Sequence, residues 1–276
     1  MSASSNESSI LIRRIASLLI LPVLGFALTA LTVEAAELRV AAASDLSFVL
    51  PEIVAGFEKQ SGAQVRLSFG SSGNFAAQLQ NGAPFDVFMA ADISYPRKLI
   101  EGGFADGGTL VTYGSGRIVV WVPKTSKLDF ERQGLRTLAD PQVSKIAIAN
   151  PQHAPYGRAA VAALRHEKIY DALKRKLVLG ENVSQAAQFV QSGNADAGIV
   201  ALSLVLAPGM SDKGKYWVVP TDLYPALEQA AVVVKSSTQP KLARAFIEYL
   251  GSPDAKELLR RSGFAIDTPK PQSAAQ

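Results

Sequence analysis

Two stretches of this sequence share one pattern and decide the fold: LRVAAASD at residues 38–45 and VRLSFGSSG at residues 65–73. Each begins with a short apolar run typical of a buried strand and ends in a serine-bearing turn. After the first turn, Leu46, Leu50 and Ile53 recur at helical spacing. Strand, serine turn and helix therefore occur twice in succession, which predicts an α/β fold with a mostly parallel sheet.

The same alternation continues along the chain and predicts two lobes. Further strands are predicted at residues 86–92, 117–123, 144–150, 197–202 and 230–234, with helices at residues 95–101, 158–165, 184–191 and 240–250. Val178 and Leu179 lead into the ENV segment at residues 181–183, and residues 254–261 are expected to complete the first lobe. Residues 151–157 are predicted to form a loop, and Ser44-Asp45 to open a helix that Pro51 either kinks or starts.

Two crossings between the lobes are expected, near Ile118 and near Ala230, and they give the arrangement of a hinged clamshell. The predicted first lobe is discontinuous and the second is inserted into it. The expected division is a signal peptide at residues 1–36, lobe 1 at 37–117 with 231–268, lobe 2 at 118–230 and a flexible tail at 269–276.

The N-terminal segment, residues 1–36, has the three parts of a secretory signal. A polar start precedes an apolar run at residues 15–33, and small residues follow. Cleavage is expected after Ala35 or Ala36, which would release the protein into the periplasm. The alternative is a membrane anchor, because the run is nearly long enough to span a bilayer, but Pro22 and the small-residue exit favour a cleaved signal.

Composition excludes several classes of function. The chain has 276 residues, 48% hydrophobic and 19% charged, which is enough to bury a full core. It has no cysteine, so disulfides, thiolate metal sites, cysteine nucleophiles and a cysteine-linked lipid anchor are excluded. The net charge of +4 comes from scattered basic residues, which does not favour nucleic-acid binding.

The serine turns at Ser44 and Ser72 are candidates for binding an anion. A strand that ends in a small-residue loop and starts a helix presents unpaired backbone N–H groups at the positive end of the helix dipole. Anions bind at such points, and a serine hydroxyl adds a donor without adding charge. For a single serine, ordinary helix capping is the better explanation, but the recurrence of the turn makes the two interpretations equally good. From the pattern alone, both interpretations stay open.

Six motifs, in order along the chain, resemble the periplasmic molybdate-binding proteins of ABC importers. They are AAAS at residues 41–44, FGSS at 69–72, GAPFDVF with AAD at 82–92, NP with PYG at 150–157, ENV at 181–183 and GNA with GIVALS at 193–203. The resemblance covers residues 37–266. It implies a two-lobed type II binding protein that carries molybdate, and often tungstate, to a membrane permease. It also implies a monomer without catalytic activity or cofactor.

The resemblance also implies a ligand set for the oxyanion. Ser44 and Ser72 would each give a hydroxyl and a neighbouring backbone N–H, and Val183 would give its backbone N–H. Many family members have a small residue at the position of Tyr156 and a tyrosine at the position of Ala201. Because alanine has no hydroxyl, we expect the phenol of Tyr156 to be delivered from the other loop. The alternative for Tyr156 is a surface or packing role.

The predicted shell contains donors only, as a fully deprotonated oxyanion requires. Molybdenum would enter only as this cargo, and no separate metal site is predicted. Two acids lie nearby, Asp45 and Glu181, and each is either an acceptor or, more in keeping with its place, a helix cap. Discrimination against sulfate must then come from the size of the cavity, because the charge and the donor requirement are the same.

Three other functions remain as alternatives. A receptor for sulfate or phosphate would use the same turns. A serine hydrolase would need a base, for which His153 and His166 are the candidates, but the Gly-x-Ser-x-Gly elbow is absent. His153 lies at the rim of the candidate site, where either a role at the site or none is possible. A carboxylate receptor would need an arginine clamp, whereas Arg66 and Arg158 are predicted on a strand face and a helix surface.

Overall fold

The computed structural model describes residues 36–266 of the chain. The predicted signal peptide, except Ala36, and the predicted tail at 269–276 lie outside the described residues. Within the described part, no helix combines the length and the apolar character needed to cross a membrane.

The strands of residues 36–266 form two sheets of five strands each. They are β1 (Glu37–Ala43), β2 (Gln64–Gly70), β3 (Val87–Ala90), β4 (Val111–Gly116), β5 (Ile118–Pro123), β6 (Ile146–Ala149), β7 (Leu177–Gly180), β8 (Ala197–Ala201), β9 (Gly214–Val218) and β10 (Leu227–Val233). The strand order is β2-β1-β3-β10-β4 in the first sheet and β7-β6-β8-β5-β9 in the second.

In each sheet one strand runs opposite to the other four. β10 is antiparallel to both of its neighbours, β3 and β4. β5 is likewise antiparallel to β8 and β9, while the remaining pairs are parallel. The predicted mostly parallel, two-lobed α/β fold is confirmed. Both reversed strands are the first to follow a crossing from the other lobe.

Helices cover the faces of both sheets. They are α1 (Val49–Ser61), α2 (Ser72–Gln80), α3 (Ser94–Glu101), α4 (Phe130–Gln133), α5 (Pro155–His166), α6 (Tyr170–Leu173), α7 (Val183–Gln191), α8 (Leu202–Val205), α9 (Pro240–Leu250) and α10 (Pro253–Arg261). Short 3-10 turns occur at Ser44–Leu46, Gly107–Thr109, Gly134–Ala139 and Thr221–Leu223. The first sheet buries one core against α1, α9 and α10 and another against α2 and α3.

Two predicted boundaries near the cleft are wrong. The expected loop at residues 151–157 ends early, because α5 begins at Pro155, whose fixed φ suits the first turn of a helix. Tyr156 therefore lies in a helix and not in a loop. Ser44-Asp45 forms a 3-10 turn instead of opening α1, which starts at Val49 with Pro51 in its first turn.

The chain passes between the sheets twice. β4 ends at Gly116 in the first sheet and β5 begins at Ile118 in the second. The return was expected near Ala230, but Ala230 already pairs with Ala90 in the first sheet. Since β9 ends at Val218 and β10 begins four residues after Leu223, the second crossing lies before the position that the apolar run suggested.

Candidate functional site

A small cavity lies between the two lobes, where strands of both sheets end. All four residues that the sequence predicts as ligands line this cavity: Ser44, Ser72, Tyr156 and Val183. Each belongs to a different loop or helix start, and the two serines face the other two residues from the opposite lobe. Among the described residues that line the cavity, Asp45 carries the one ionisable carboxyl group, and none is Lys or Arg.

The two serine hydroxyls are buried and do not cap the helices that follow them in the chain. Ser44 is 3% exposed and Ser72 is fully buried. The cap of α2 is Ser71, and the turn that starts at Ser44 has no side-chain cap. The capping interpretation is therefore wrong for both serines. Their oxygens accept hydrogen bonds, from the N–H of Ala91 at 3.0 Å for Ser72 and from the N–H of Ser184 at 3.4 Å for Ser44. Within the described part of the chain, each hydroxyl hydrogen has no acceptor and remains available to a ligand.

At the start of α2, the backbone N–H groups of the first turn have protein acceptors in the described structure, with one exception. Gly73 donates its N–H to the carbonyl of His153 at 2.9 Å. Asn74 donates to the Ser71 hydroxyl at 3.4 Å, and Phe75 to the Ser71 carbonyl at 3.1 Å. Of the first-turn donors in the described structure, the N–H of Ser72 has no protein acceptor, as expected at a helix start.

The starts of α5 and α7 leave donors in the same way. In α7, Gln185 donates to Asn182 Oδ1 at 3.0 Å and Ser184 to Ser44, so the N–H of Val183 is left without an acceptor in the described structure. In α5 the proline at the first position has no N–H, and the N–H of Tyr156 follows it. Three helix N-termini thus direct backbone donors at one cavity, which is the arrangement that anions favour.

The phenol of Tyr156 is held by a buried hydrogen-bond network. It donates to Asp45 Oδ2 at 2.9 Å and accepts from Gln229 Nε2 at 3.1 Å. Gln229 Nε2 also donates to Asp45 Oδ2 at 2.6 Å, and its Oε1 accepts from the Tyr113 hydroxyl at 2.8 Å. A phenol has one hydrogen, and Tyr156 donates it to Asp45 in this structure. Ala201, at the end of β8, is fully buried and does not line the cavity.

Asp45 is a buried acid at the edge of the cavity. It is 1% exposed, and burial raises the pKa of its carboxyl to about 6 against the lowering effect of the hydrogen bonds from Gln229 and Tyr156. The expected capping role is wrong for Asp45, and it is wrong for Glu181 as well, because α7 is capped by Asn182. Glu181 lies at the rim of the cleft and accepts a hydrogen bond from the Asn74 amide.

The rim of the cleft carries contacts between the lobes that the sequence did not indicate. Arg158 donates to Asp92 Oδ2 at 2.8 Å and to the Tyr95 hydroxyl at 2.7 Å, although it was predicted on a helix surface. His153 Nδ1 lies 2.8 Å from the Ser71 hydroxyl.

The other candidate residues lie away from the cavity. Arg66 is on an exposed strand face, as predicted, and pairs with Glu37 at 2.5 Å. His166 is in the last turn of α5 with 57% of its side chain exposed. A carboxylate clamp and a catalytic base are therefore both missing from the described lining of the cavity.

Comparison with known proteins identifies the family to which the chain belongs. Residues 38–265 match the family described as bacterial extracellular solute-binding protein. The chain belongs to this family. Its members are receptors, so this solute-binding protein is not an enzyme, as the sequence predicted.

Several relatives of this solute-binding protein are named molybdate-binding protein ModA. That of Azotobacter vinelandii is 40% identical over 88% of this chain and 95% of its own length. That of Rhodobacter capsulatus is 37% identical over 89% and 93%.

Solved structures give the same fold. The periplasmic molybdate-binding protein of Azotobacter vinelandii has a TM-score of 0.79 at 36% identity, covering 84% of this chain and 100% of that one. The sulfate-binding protein SubI of Mycobacterium tuberculosis has a TM-score of 0.69 at 16% identity, covering 85% and 88%, which shows a shared fold alone.

Proposed function

We propose that this chain binds molybdate in the cavity between its lobes and delivers it to the membrane permease of an ABC importer. The observation that carries the proposal is the convergence of Ser44, Ser72, Tyr156 and Val183 on one cavity from four separate chain segments. Relatives at 40% and 37% identity bear the name of molybdate-binding proteins, which agrees with this assignment.

The chemistry of the lining favours a fully deprotonated oxyanion. Two serine hydroxyls and the N–H groups of Ser72, Tyr156 and Val183 are donors, and no Lys or Arg lines the described cavity. Fixed dipoles in a closed cleft can hold a dianion without a counter-charge that would make release slow. Phosphate near neutral pH carries a proton that needs an acceptor, and this donor set offers none apart from Asp45.

Within this proposal, Tyr156 contributes through its backbone N–H at the start of α5. The phenol was expected to be a direct ligand, but its hydrogen is donated to Asp45 Oδ2. The direct contact between phenol and oxyanion stays a prediction, which the Tyr156→Phe variant tests.

The remaining parts of the assignment are also proposals. We propose that tungstate, which has the same charge and shape as molybdate, binds in the same cavity. We propose that the receptor is a monomer in the periplasm, exported by a signal peptide that is removed after Ala35 or Ala36. The solved Azotobacter vinelandii relative is a periplasmic protein, which agrees with this location.

The test is thermal unfolding of the purified chain with molybdate, tungstate, sulfate or phosphate. At about a hundredfold excess over its dissociation constant, a ligand adds about 2.7 kcal/mol, or roughly 5–10 °C in Tm for a chain of this size. We expect this shift with molybdate and tungstate alone. A Ser72→Ala variant should lose most of it, whereas Ser94→Ala, at the same helix position in α3 but exposed, should retain it.

Equal stabilisation by sulfate or phosphate would support the alternative receptor for another oxyanion. If none of the four anions shifts the Tm, the proposed function is wrong.

A further inference from the structure

The carboxyl group of Asp45 has two oxygens in very different surroundings. Its Oδ2 accepts hydrogen bonds from the Tyr156 hydroxyl at 2.9 Å and the Gln229 amide at 2.6 Å. Its Oδ1 is buried and has no hydrogen-bond partner in the described structure. Asp45 follows Ser44 directly and lines the same cavity. A buried polar atom without a partner is costly, so its presence at a binding cavity points to a partner that arrives with the ligand.

The hydrogens of the network are all accounted for. Tyr113 donates to Gln229 Oε1, which fixes the orientation of the amide. The two amide hydrogens then go to Asp45 Oδ2 and to the Tyr156 oxygen, and the phenol hydrogen goes to Oδ2. No hydrogen of these three side chains is left for Oδ1. With the carboxyl ionised, Oδ1 is an unpartnered acceptor on a residue that lines the cavity, where Ser44, Ser72, Tyr156 and Val183 supply donors.

We propose that Asp45 takes up one proton from solvent when the oxyanion binds, and that its protonated Oδ1 then donates a hydrogen bond to the oxyanion. This inference rests on the proposed function. It makes Asp45 a further determinant of binding, beside Ser44, Ser72, Tyr156 and Val183. It also makes affinity depend on pH.

Electrostatics gives the direction of the effect. Burial raises the pKa of Asp45 to about 6, and a dianion beside the carboxyl disfavours its ionised form further. The bound state therefore holds more protons than the free state between about pH 6 and the higher pKa of the complex. By linkage, affinity rises as pH falls through this window and is constant below about pH 6.

The groups that face Asp45 do not supply a competing charge. Tyr156 from α5 and Tyr113 from β4 are its titratable neighbours, and burial raises the pKa of both phenols well above the usual range, so both are neutral here. α7 and α8 also pack against the turn that contains Asp45, and neither contains an acidic or basic residue.

The charged residues on the other neighbouring elements point elsewhere. β2 carries Arg66, which is exposed and paired with Glu37. β10 carries Glu228, which accepts from the exposed Thr112 hydroxyl at the sheet edge. On α5, Arg158 is paired with Asp92 at the rim. Among the charged groups of the elements packed against its turn, Asp45 is therefore the one that lines the cavity. His153, whose Nδ1 lies 2.8 Å from the Ser71 hydroxyl, is the other titratable group at the rim.

The experiment is titration calorimetry of the purified chain with molybdate, in two buffers of different ionisation enthalpy, at about pH 7.5. The difference in heat gives the number of protons taken up. We expect uptake close to one for the wild type and close to zero for Asp45→Asn. Glu52→Gln makes the same carboxyl-to-amide change at an exposed position of α1 and should behave as the wild type.

Affinity against pH gives a second readout. Wild-type affinity should rise by up to tenfold per pH unit from about pH 8 to about pH 6. For Asp45→Asn it should be flat. At about pH 8 this variant should bind more tightly than the wild type, because its amide accepts from Tyr156 and Gln229 through oxygen and offers an N–H in place of the Oδ1 proton.

Wild-type binding without proton uptake would overturn the inference and leave the proposed function intact. Uptake that persists in Asp45→Asn would also overturn it, since the proton would then sit on another group. If Asp45→Asn does not fold, proton uptake and the pH profile of affinity in the wild type still decide whether the inference holds. Absence of molybdate binding by the wild type would overturn the inference and the proposed function together.

Discussion

At the scale of single residues, the site depends on which oxygen or nitrogen has a hydrogen to give. Ser44 and Ser72 keep their hydroxyl hydrogens because their oxygens accept from backbone N–H groups. Tyr156 does not, because Asp45 takes its one hydrogen. A tyrosine at a binding site is therefore a donor to the ligand only when its neighbours leave its hydrogen free.

Tyr156→Phe tests the role of the phenol. Loss of the bond to Asp45 Oδ2 removes about 1 kcal/mol that favours the ionised carboxyl, so above about pH 6 molybdate should bind up to roughly fivefold more tightly. The phenol hydrogen bond lowers the pKa of Asp45, so its removal should move the pH profile of affinity to higher pH. Titration calorimetry across pH measures both effects, with Tyr170→Phe, on α6 of the second lobe, as the control.

A weaker affinity with an unchanged pH profile would instead support direct contact between the phenol and the oxyanion. Unchanged affinity in Tyr156→Phe would show that the phenol has neither role.

At the scale of elements, the close approach of α5 to β6 places the N-terminal donors of α5 at the cavity. Gly157 makes this approach possible, because a Cβ at this position would lie 2.0 Å from the carbonyl oxygen of Ala149. The clash would be with backbone, which cannot move aside as a flexible side chain can. The glycine thus sets the position of Tyr156 beside it.

Gly157→Ala should therefore destabilise the fold by about 1–3 kcal/mol through overpacking. Urea unfolding without ligand measures the free energy of unfolding. Gly108→Ala is the control, because its added Cβ would meet its nearest neighbouring atom, Asp106 Oδ1, at an ordinary 3.4 Å. A wild-type free energy of unfolding in Gly157→Ala would show that α5 can shift to make room.

At the scale of the whole molecule, the described structure has the cleft closed by contacts between lobes. Gly73 of α2 donates its N–H to the His153 carbonyl of the second lobe, and Arg158 reaches Asp92. A Cβ on Gly73 would lie 2.6 Å from that carbonyl oxygen and 2.9 Å from the His153 Cα. The space at this point is thus taken by the opposite lobe and not by the lobe that contains Gly73.

Gly73→Ala should hinder closure without harming the fold. Alanine is favoured over glycine within a helix by about 1 kcal/mol, so unfolding without ligand should be unchanged or slightly more costly. Molybdate affinity should fall by about tenfold or more, equivalent to roughly 1.4 kcal/mol, because the closed state is strained. X-ray scattering at saturation should show less compaction than in the wild type. Wild-type compaction together with wild-type affinity would contradict the closure geometry.

The sequence predicts much of this architecture, because the repeated order of strand, turn and helix is local in the chain. The resemblance of its motifs to those of molybdate-binding proteins also identifies the four cavity residues, Ser44, Ser72, Tyr156 and Val183. The buried network was not predicted. Asp45 is separated by 111 positions from Tyr156 and by 184 from Gln229, and no local pattern connects them. Gln229 also stands at the start of an apolar run, where its side-chain partner cannot be inferred from its neighbours.

The position of β10 has a consequence for the order in which the molecule can be assembled during synthesis. β10 lies between β3 and β4, so β4 has no strand partner in the first sheet until Leu227–Val233 has been made. The second sheet, by contrast, is complete once β9 has emerged from the ribosome. A growing chain can therefore finish its inserted lobe while the surrounding lobe still lacks an interior strand. For a protein proposed to be exported, this delay means that lobe 1, whose synthesis begins first, cannot complete its sheet until nearly the whole polypeptide has been made.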